Sequence, residues 1–179
     1  MANTNSPNGF TPAYHMSGGT IRASEFAIAS ATDASIFTGD VVNLSSGLVI
    51  QGTATGAPLG VFAGVEYQAT DGSVVFSNMW TADTATLGSA NAKAYVYSDP
   101  DIVYEAQASA TPTQATIGTT NTITTTAGDS STGRSKEAVT ATTSSGIATV
   151  VGFVDRPDNS IGQYARMHVI FPASVFGNN

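Results

Sequence analysis

Cysteine is absent from the 179-residue sequence, which excludes a disulfide framework, thiolate metal sites and a cysteine nucleophile. Charged residues are also scarce, at 11% of the chain against the roughly 25% of ordinary soluble domains. Hydrophobic residues still make up 41%, so the composition is the opposite of a disordered chain. Much of the rest is threonine, serine and glycine. This mixture predicts strands and turns whose surface is hydroxyl-rich or partly covered by neighbouring subunits.

Basic residues are few and scattered. Six of them face 13 acidic residues, which gives a net charge of −7. Proteins that bind a phosphate backbone do so through clustered lysine and arginine. Only Arg134 and Lys136 lie close together in the sequence. We therefore expect no nucleic acid among the partners.

Long apolar runs and targeting signals are missing as well. No apolar stretch approaches the roughly 20 residues that a membrane helix needs. The first residues lack the basic and apolar regions of a signal peptide. We expect a product made in the cytoplasm, with no membrane partner.

Residues suited to catalysis are sparse. Only His15 and His168 could supply the imidazole of a hydrolytic triad, and neither lies near a Gly-x-Ser-x-Gly elbow. Asp99, Asp101 and Glu105 offer oxygen ligands for calcium, but they lack the spacing of an EF-hand and are typical of a solvated turn. Phosphate-binding glycine motifs are absent. The sequence predicts no enzyme, no metal and no cofactor.

Short segments rich in β-branched and aromatic residues dominate the chain. They recur every 8 to 12 residues or so between Gly, Pro and Asp turns, a pattern typical of a sandwich or barrel. We therefore predict an all-β fold, an antiparallel β-barrel or β-sandwich. The predicted strands cover residues 22–28, 40–44, 47–51, 58–67, 72–77, 92–97, 102–105, 146–154 and 164–171. A short helix is possible over 172–176.

Two segments depart from this pattern within a predicted single β-rich domain of residues 20–179. Residues 1–19 form an extended N-terminal arm, which either frays in the free protein or orders against a neighbouring subunit, with Phe10 and Tyr14 filling pockets there. Residues 106–145 form a Thr/Ser/Gly-rich insertion without aromatics, expected to be a long loop or weakly packed hairpin. Residues 130–135 are predicted to form a tight turn within it.

Several segments together resemble a family of small structural proteins of tailed phages, the head decoration or cement proteins. The segments that carry the resemblance are Asn8-Gly9-Phe10-Thr11-Pro12, residues 60–67, residues 93–101 with Tyr104-Glu105, residues 131–135 and residues 152–159. The resemblance implies a β-barrel or sandwich, commonly trimeric, that clamps major capsid protein subunits from outside the shell. An acidic chain suits the outer surface, away from packaged DNA. The family offers no catalytic residue.

Three functions follow as hypotheses. The first is a capsid-stabilising virion protein that forms a homotrimer, with Phe10, Tyr14, Trp80, Arg134 and Arg156 as contacts to subunits or capsid. The second is a phage fibre or receptor- or carbohydrate-binding module, in which an exposed Trp80 stacks on a sugar; packing of Trp80 in the core or in an interface is the favoured alternative for this residue. The third is a virion-associated hydrolase that uses His15 or His168.

Overall fold

The computed structural model describes residues 3–141 and 146–177, and strands make up nearly all of its regular structure. The strands are β1 (Thr11–His15), β2 (Ser24–Ile28), β3 (Ile36–Phe37), β4 (Val41–Ser45), β5 (Leu48–Gln51), β6 (Gly60–Gln68), β7 (Val74–Ser77), β8 (Met79–Trp80), β9 (Ala92–Tyr97), β10 (Ile102–Gln107), β11 (Thr120–Asn121), β12 (Ile123–Thr124), β13 (Ala138–Val139), β14 (Ala148–Phe153) and β15 (Arg166–Ile170).

Helices are limited to two single 3-10 turns within the described residues, Leu87–Ser89 and Gln114–Thr116. The short helix considered for 172–176 is not formed, since that stretch consists of turns. No helix in the described part of the chain is long and apolar enough to cross a membrane. The predicted all-β fold is confirmed.

Five strands form a small closed barrel. Their order is β4-β5-β2-β9-β6, and β6 pairs back onto β4 through Val41↔Val61 and Val42↔Gly60 to close the ring. The β2–β5 pairing is parallel, while the other pairings around the ring are antiparallel. Strand β7 pairs with β6 outside the ring and forms the end of this sheet.

Local sequence explains the barrel strands. In β9 the residues alternate, with Ala92, Ala94 and Val96 buried and their neighbours partly exposed, as a two-residue period requires. The strands predicted at 40–44 and 47–51 are β4 and β5, and they pair antiparallel as a hairpin. A Cβ on Gly60 would lie 2.0 Å from the carbonyl oxygen of Tyr97, so this glycine permits a close approach of the two backbones.

A second sheet packs beside the barrel. Its order is β1-β10-β15-β14-β11, and every pairing is antiparallel. Two short ribbons, β12–β13 and β3–β8, complete the regular structure. One core cluster lies mainly against the second sheet, around Phe10, Tyr104 and Phe171. The other fills the barrel, around Phe62 and Trp80.

The N-terminal segment packs on its own chain. Residues 11–15 are strand β1, paired with β10 at the edge of the second sheet. Phe10 is only 1% exposed, and its ring centroid lies 5.3 Å from that of Phe171. The expectation that Phe10 fills a pocket on a neighbouring subunit is therefore wrong, because the aromatic ring is part of this chain's own core.

The Thr/Ser/Gly-rich insertion is more ordered than a loop. Its first residues complete β10, and three short strands follow. Ile123 and Val139 are buried in the core, so the segment contributes apolar area despite its composition. Paired threonines add hydrogen bonds, with 2.8 Å between the Oγ1 atoms of Thr122 and Thr140. Residues 142–145, which the insertion also includes, lie outside the described residues.

The tight turn predicted for residues 130–135, within the insertion, is formed at that position. The Gly133 N–H donates to the Asp129 carbonyl oxygen over 2.7 Å, and the Asp129 N–H donates to the Arg134 carbonyl oxygen over 2.8 Å. Gly133 adopts a φ of 68°, which a glycine reaches without steric cost. The turn carries Arg134 to the surface.

Candidate interaction surfaces and polar clusters

Trp80, predicted as a contact or sugar-stacking residue, is fully buried. Its exposed fraction is 0%, and its ring packs edge-on against Tyr67 with centroids 5.5 Å apart. A sugar or a neighbouring subunit has no access to this indole in the folded chain. The predicted platform is wrong, because the tryptophan fills the barrel.

The other three predicted contact residues are exposed. Tyr14 is 44% exposed on the edge strand β1, and its ring meets that of His168 edge-on at 5.3 Å. Arg134 and Arg156 are both exposed on loops. These two arginines line different cavities next to the N-terminal segment.

Two open cavities flank residues 3–8, and Ser6 borders both. The first has a volume of about 200 Å³ and is lined by Arg156 and Arg166, and the second has a volume of about 350 Å³ and is lined by Arg134 and Lys136. We call the residues that line these two cavities, with their ion-pair partners, the arm-side surface. It combines parts of the chain that are more than 100 residues apart in sequence.

Hydrogen bonds hold the N-terminal segment in place on this surface. The side-chain amide of Asn3 donates to the carbonyl oxygens of Ser160 and Gln163, each over 2.8 Å. The buried side chain of Gln107 donates to the Thr4 carbonyl oxygen over 2.8 Å and accepts from the Ser6 N–H over 3.0 Å. The segment is therefore a fixed wall of both cavities.

Ion pairs order the basic side chains around the first cavity. Glu105 Oε1 lies 3.1 Å from Arg156 Nη2 and 3.2 Å from Arg166 Nη1. Arg156 Nε also lies 3.7 Å from Asp158 Oδ1. In the second cavity, Lys136 Nζ lies 3.7 Å from Asp129 Oδ2.

Charge is divided unevenly over the molecule. The arm-side surface holds four of the six basic residues together with three acids, Glu105, Asp129 and Asp158. The rest of the chain then carries two bases and ten acids. The arm-side surface therefore has a formal charge of +1, and the rest of the chain has a formal charge of −8. The fold brings these basic residues together, although they are scattered in the sequence.

A second polar cluster lies at the end of β1. His15 Nε2 is 3.1 Å from Asp99 Oδ2, and the ligand atoms of His15, Asp99 and Asp101 all lie within 4.8 Å of one another. The Asp101 N–H donates to Asp99 Oδ1 over 2.9 Å, and this bond, followed by His15, lowers the pKa of Asp99. Glu105 instead pairs with arginines, so it is not part of this cluster.

His15 also contacts a hydroxyl group. Its Nδ1 lies 3.0 Å from Ser17 Oγ and accepts the Ser17 backbone N–H over 3.3 Å. An Nδ1 that accepts leaves the proton on Nε2, which then donates to Asp99. A serine, a histidine and an aspartate thus stand in series, although the serine contact is a local turn.

The other histidine has a different environment. His168 lies in β15 opposite Glu105 and Gly152, as the predicted strand position implied. Partial burial lowers its pKa, and the nearby Glu105 carboxylate opposes that shift. Its ring contact is with Tyr14.

Two carboxyl groups are buried where the insertion meets the barrel. Glu137 Oε2 accepts the Val41 N–H over 2.8 Å, and Asp40 Oδ2 accepts the Phe37 N–H over 2.8 Å. Both residues are 1% exposed. Burial, reinforced by the neighbouring Asp40 charge, raises the pKa of Glu137 to about 9. Burial also raises the pKa of Asp40 to about 6, although a hydrogen bond from Ser135 opposes that shift.

Sequence reasoning missed both Ser17 and Glu137. The sequence shows a serine two residues after His15. The third member of the series, Asp99, lies 84 residues after His15, so its contact could not be read from the sequence. Glu137 lies directly before Ala138 and Val139, a pair that is buried in a short strand. The position of an acidic residue next to this apolar pair could have indicated that Glu137 is buried as well.

Comparison with known proteins adds no family to this description. The chain matches no protein-family model, no curated protein and no solved structure at a significant level. The molecule is defined by its fold as an all-β protein with a small closed barrel.

Proposed function

We propose that the protein is a structural virion protein that binds the outer surface of a phage capsid and stabilises contacts between major capsid protein subunits. In this proposal it forms a homotrimer on the shell. The arm-side surface faces the capsid, and the acidic remainder faces solvent. Tyr14, Arg134 and Arg156 remain as candidate contacts.

The uneven charge distribution is the observation that carries the proposal. A surface that gathers four of six basic residues suits a partner with exposed acidic groups, while the strongly acidic remainder resists unspecific association. Arg134 has an exposed side chain at the rim of the second cavity, where it is free to approach such a partner.

Affinity per copy need not be high in this role. Several contacts that span neighbouring shell subunits raise the effective affinity by multivalency. A protein that binds the assembled shell better than the free subunits stabilises the shell by mass action. Each attachment still needs about 1,000 Å² of buried surface for specificity.

The direct test measures binding to capsids assembled without this protein. Arg134→Glu should weaken binding at least tenfold, whereas Arg22→Glu, an equal change of charge outside the arm-side surface, should change it less than twofold. Raising the salt concentration should reduce binding of the unaltered protein, since the contact is partly electrostatic. Equal effects of the two variants would contradict the assignment of the arm-side surface.

Location and copy number test the wider proposal. Particle reconstruction should find the protein at fixed lattice positions on the head, in hundreds of copies, and light scattering should give the mass of a trimer. A handful of copies confined to the tail would remove the capsid role.

Hydrolysis is a second candidate function, favoured only by the Ser17, His15 and Asp99 series. The Ser17 hydroxyl would attack an ester or amide carbonyl while His15 takes its proton, and the alcohol or amine would leave with that proton. Water would then hydrolyse the acyl-serine and restore the hydroxyl. Turnover of a nitrophenyl ester that is lost in both Ser17→Ala and His15→Gln would support it. Turnover that persists in both variants would exclude the series as the cause.

A further inference from the structure

The barrel sheet ends in an open edge at β7. Within the described residues, β7 pairs with β6 on one side and with no strand on the other. The Ala69 N–H donates to the Ser73 carbonyl oxygen over 2.8 Å. Because antiparallel ladders alternate, the backbone groups of Val75 and Ser77 also point toward β6, and those of Val74 and Phe76 point outward.

The two residues with outward backbone groups also have exposed apolar side chains. Val74 is 57% exposed, and Phe76 is 71% exposed, the largest value among the exposed large hydrophobic residues. Natural edge strands are usually protected by charge, proline or a bulge. Residues 72–78 contain neither a charge nor a proline, and the β6–β7 register runs without a bulge.

We propose that β7 is a docking strand for a second copy of this chain, paired antiparallel about a two-fold axis at Val75. In this register Val74 pairs with the partner's Phe76, and Phe76 pairs with the partner's Val74. Both pairs use the outward backbone groups, so each exchanges two hydrogen bonds. The contact is self-complementary, as a two-fold interface requires.

The surface beside Val74 has room for the incoming aromatic ring. An open cavity of about 260 Å³ adjoins Val74, and its lining combines Tyr67, Thr86 and Ala90 with the charged side chains of Glu66 and Lys93. The register places the partner's Phe76 at the mouth of this cavity. Cross-strand pairs of an aromatic and a β-branched residue stabilise antiparallel sheets, and the uncharged strand brings no like charges together.

The area of this contact sets its strength. Four strand residues with two exposed apolar side chains bury on the order of a few hundred Å² per copy, below the roughly 800 Å² per partner of a standard interface. The pair should therefore dissociate in dilute solution and form where copies are held close together. A two-fold contact differs from the three-fold contacts of a trimer, so it would connect separate oligomers. The inference does not depend on binding to a capsid.

Disulfide trapping tests the register, because the natural chain has no cysteine. Residues opposite each other in a non-hydrogen-bonded pair have Cα atoms about 4.5 Å apart, within the range that a disulfide spans. Val75→Cys should therefore form a covalent dimer under mild oxidation at millimolar protein concentration. Ser77→Cys is the matched control, since four residues would separate the two cysteines by about 13 Å.

The expected result is at least tenfold more covalent dimer from Val75→Cys than from Ser77→Cys. Adding Phe76→Lys to Val75→Cys should reduce the yield at least tenfold, and circular dichroism should show the fold unchanged because Phe76 lies outside the core. Equal yields from the two cysteine variants would overturn the register. An undiminished yield with Phe76→Lys would overturn the role of the aromatic ring.

Discussion

Replacing the buried carboxyl of Glu137 with its amide, in Glu137→Gln, should stabilise the protein by an amount that grows with pH. The pKa of Glu137 is raised by burial from 4.5 to about 9, so the folded chain keeps this proton over a range where the unfolded chain releases it. Each pH unit within that range costs the natural protein about 1.4 kcal/mol of folding free energy. The amide has no proton to hold and escapes the cost.

The sign and the range follow from linkage. A carboxyl whose pKa is raised on folding favours the folded state fully below pH 4.5, and this contribution is lost as the pH rises toward 9. At pH 7 the loss amounts to about 3 kcal/mol, and by pH 9 to about 6 kcal/mol. Asp40, whose pKa is raised to about 6, is present in both proteins, so it enters the comparison only through its interaction with Glu137.

Urea unfolding between pH 5 and 9 measures this difference, with fluorescence of the single, buried Trp80 as the signal. Asp71→Asn is a suitable control, because hydrogen bonds from Ser73 lower the pKa of Asp71 and its effect should be constant above pH 5. A free-energy difference between Glu137→Gln and the natural protein that stays flat from pH 5 to 9 would refute the reasoning.

Three further predictions test the fold. Phe10→Ala should cost about 3–5 kcal/mol because its ring is buried, whereas Tyr14→Ala at the exposed edge should cost far less; chemical denaturation gives both values. Ile123→Ala should cost about 2–5 kcal/mol in the same assay if the Thr-rich segment belongs to the core, and a negligible loss would contradict that packing. Gly60→Ala should lower the thermal midpoint strongly, because the added methyl group would meet a backbone carbonyl of β9. Gly152→Ala is the control and should not lower the midpoint strongly, because its methyl group would enter open space. Similar midpoints for the two variants would speak against the close approach of the backbones at Gly60.

Strands with a clear period were the part of the fold that the sequence could predict. Segments such as 92–97 and 102–105 alternate or concentrate β-branched and aromatic residues, and both are strands. The number of barrel strands and their order could not be read in the same way. Closure depends on the pairing of β4 with β6 and of β2 with β9, which join residues far apart in the chain.

Isolated aromatics were harder to interpret. Phe10 and Trp80 lie in polar or irregular sequence, where no periodicity indicates which face is buried, and both proved to be core residues. Arg134 and Arg156 were named individually, but their common position next to residues 3–8 depends on tertiary structure. The burial of Glu137 also depends on tertiary structure, because a strand from another part of the chain covers this side chain.

The pairing of β1 with β10 and the attachment of Asn3 near residue 160 have a consequence for biosynthesis. A ribosome releases this early stretch well before its partners have been translated, so those contacts can form only late. Until then the phenyl ring of Phe10 and the edge of β1 remain uncovered, and nascent chains are prone to associate with one another. Rapid folding is not expected of such a topology, whose contacts are mostly distant in sequence. Expression at low temperature or with a holdase chaperone should therefore raise the soluble yield.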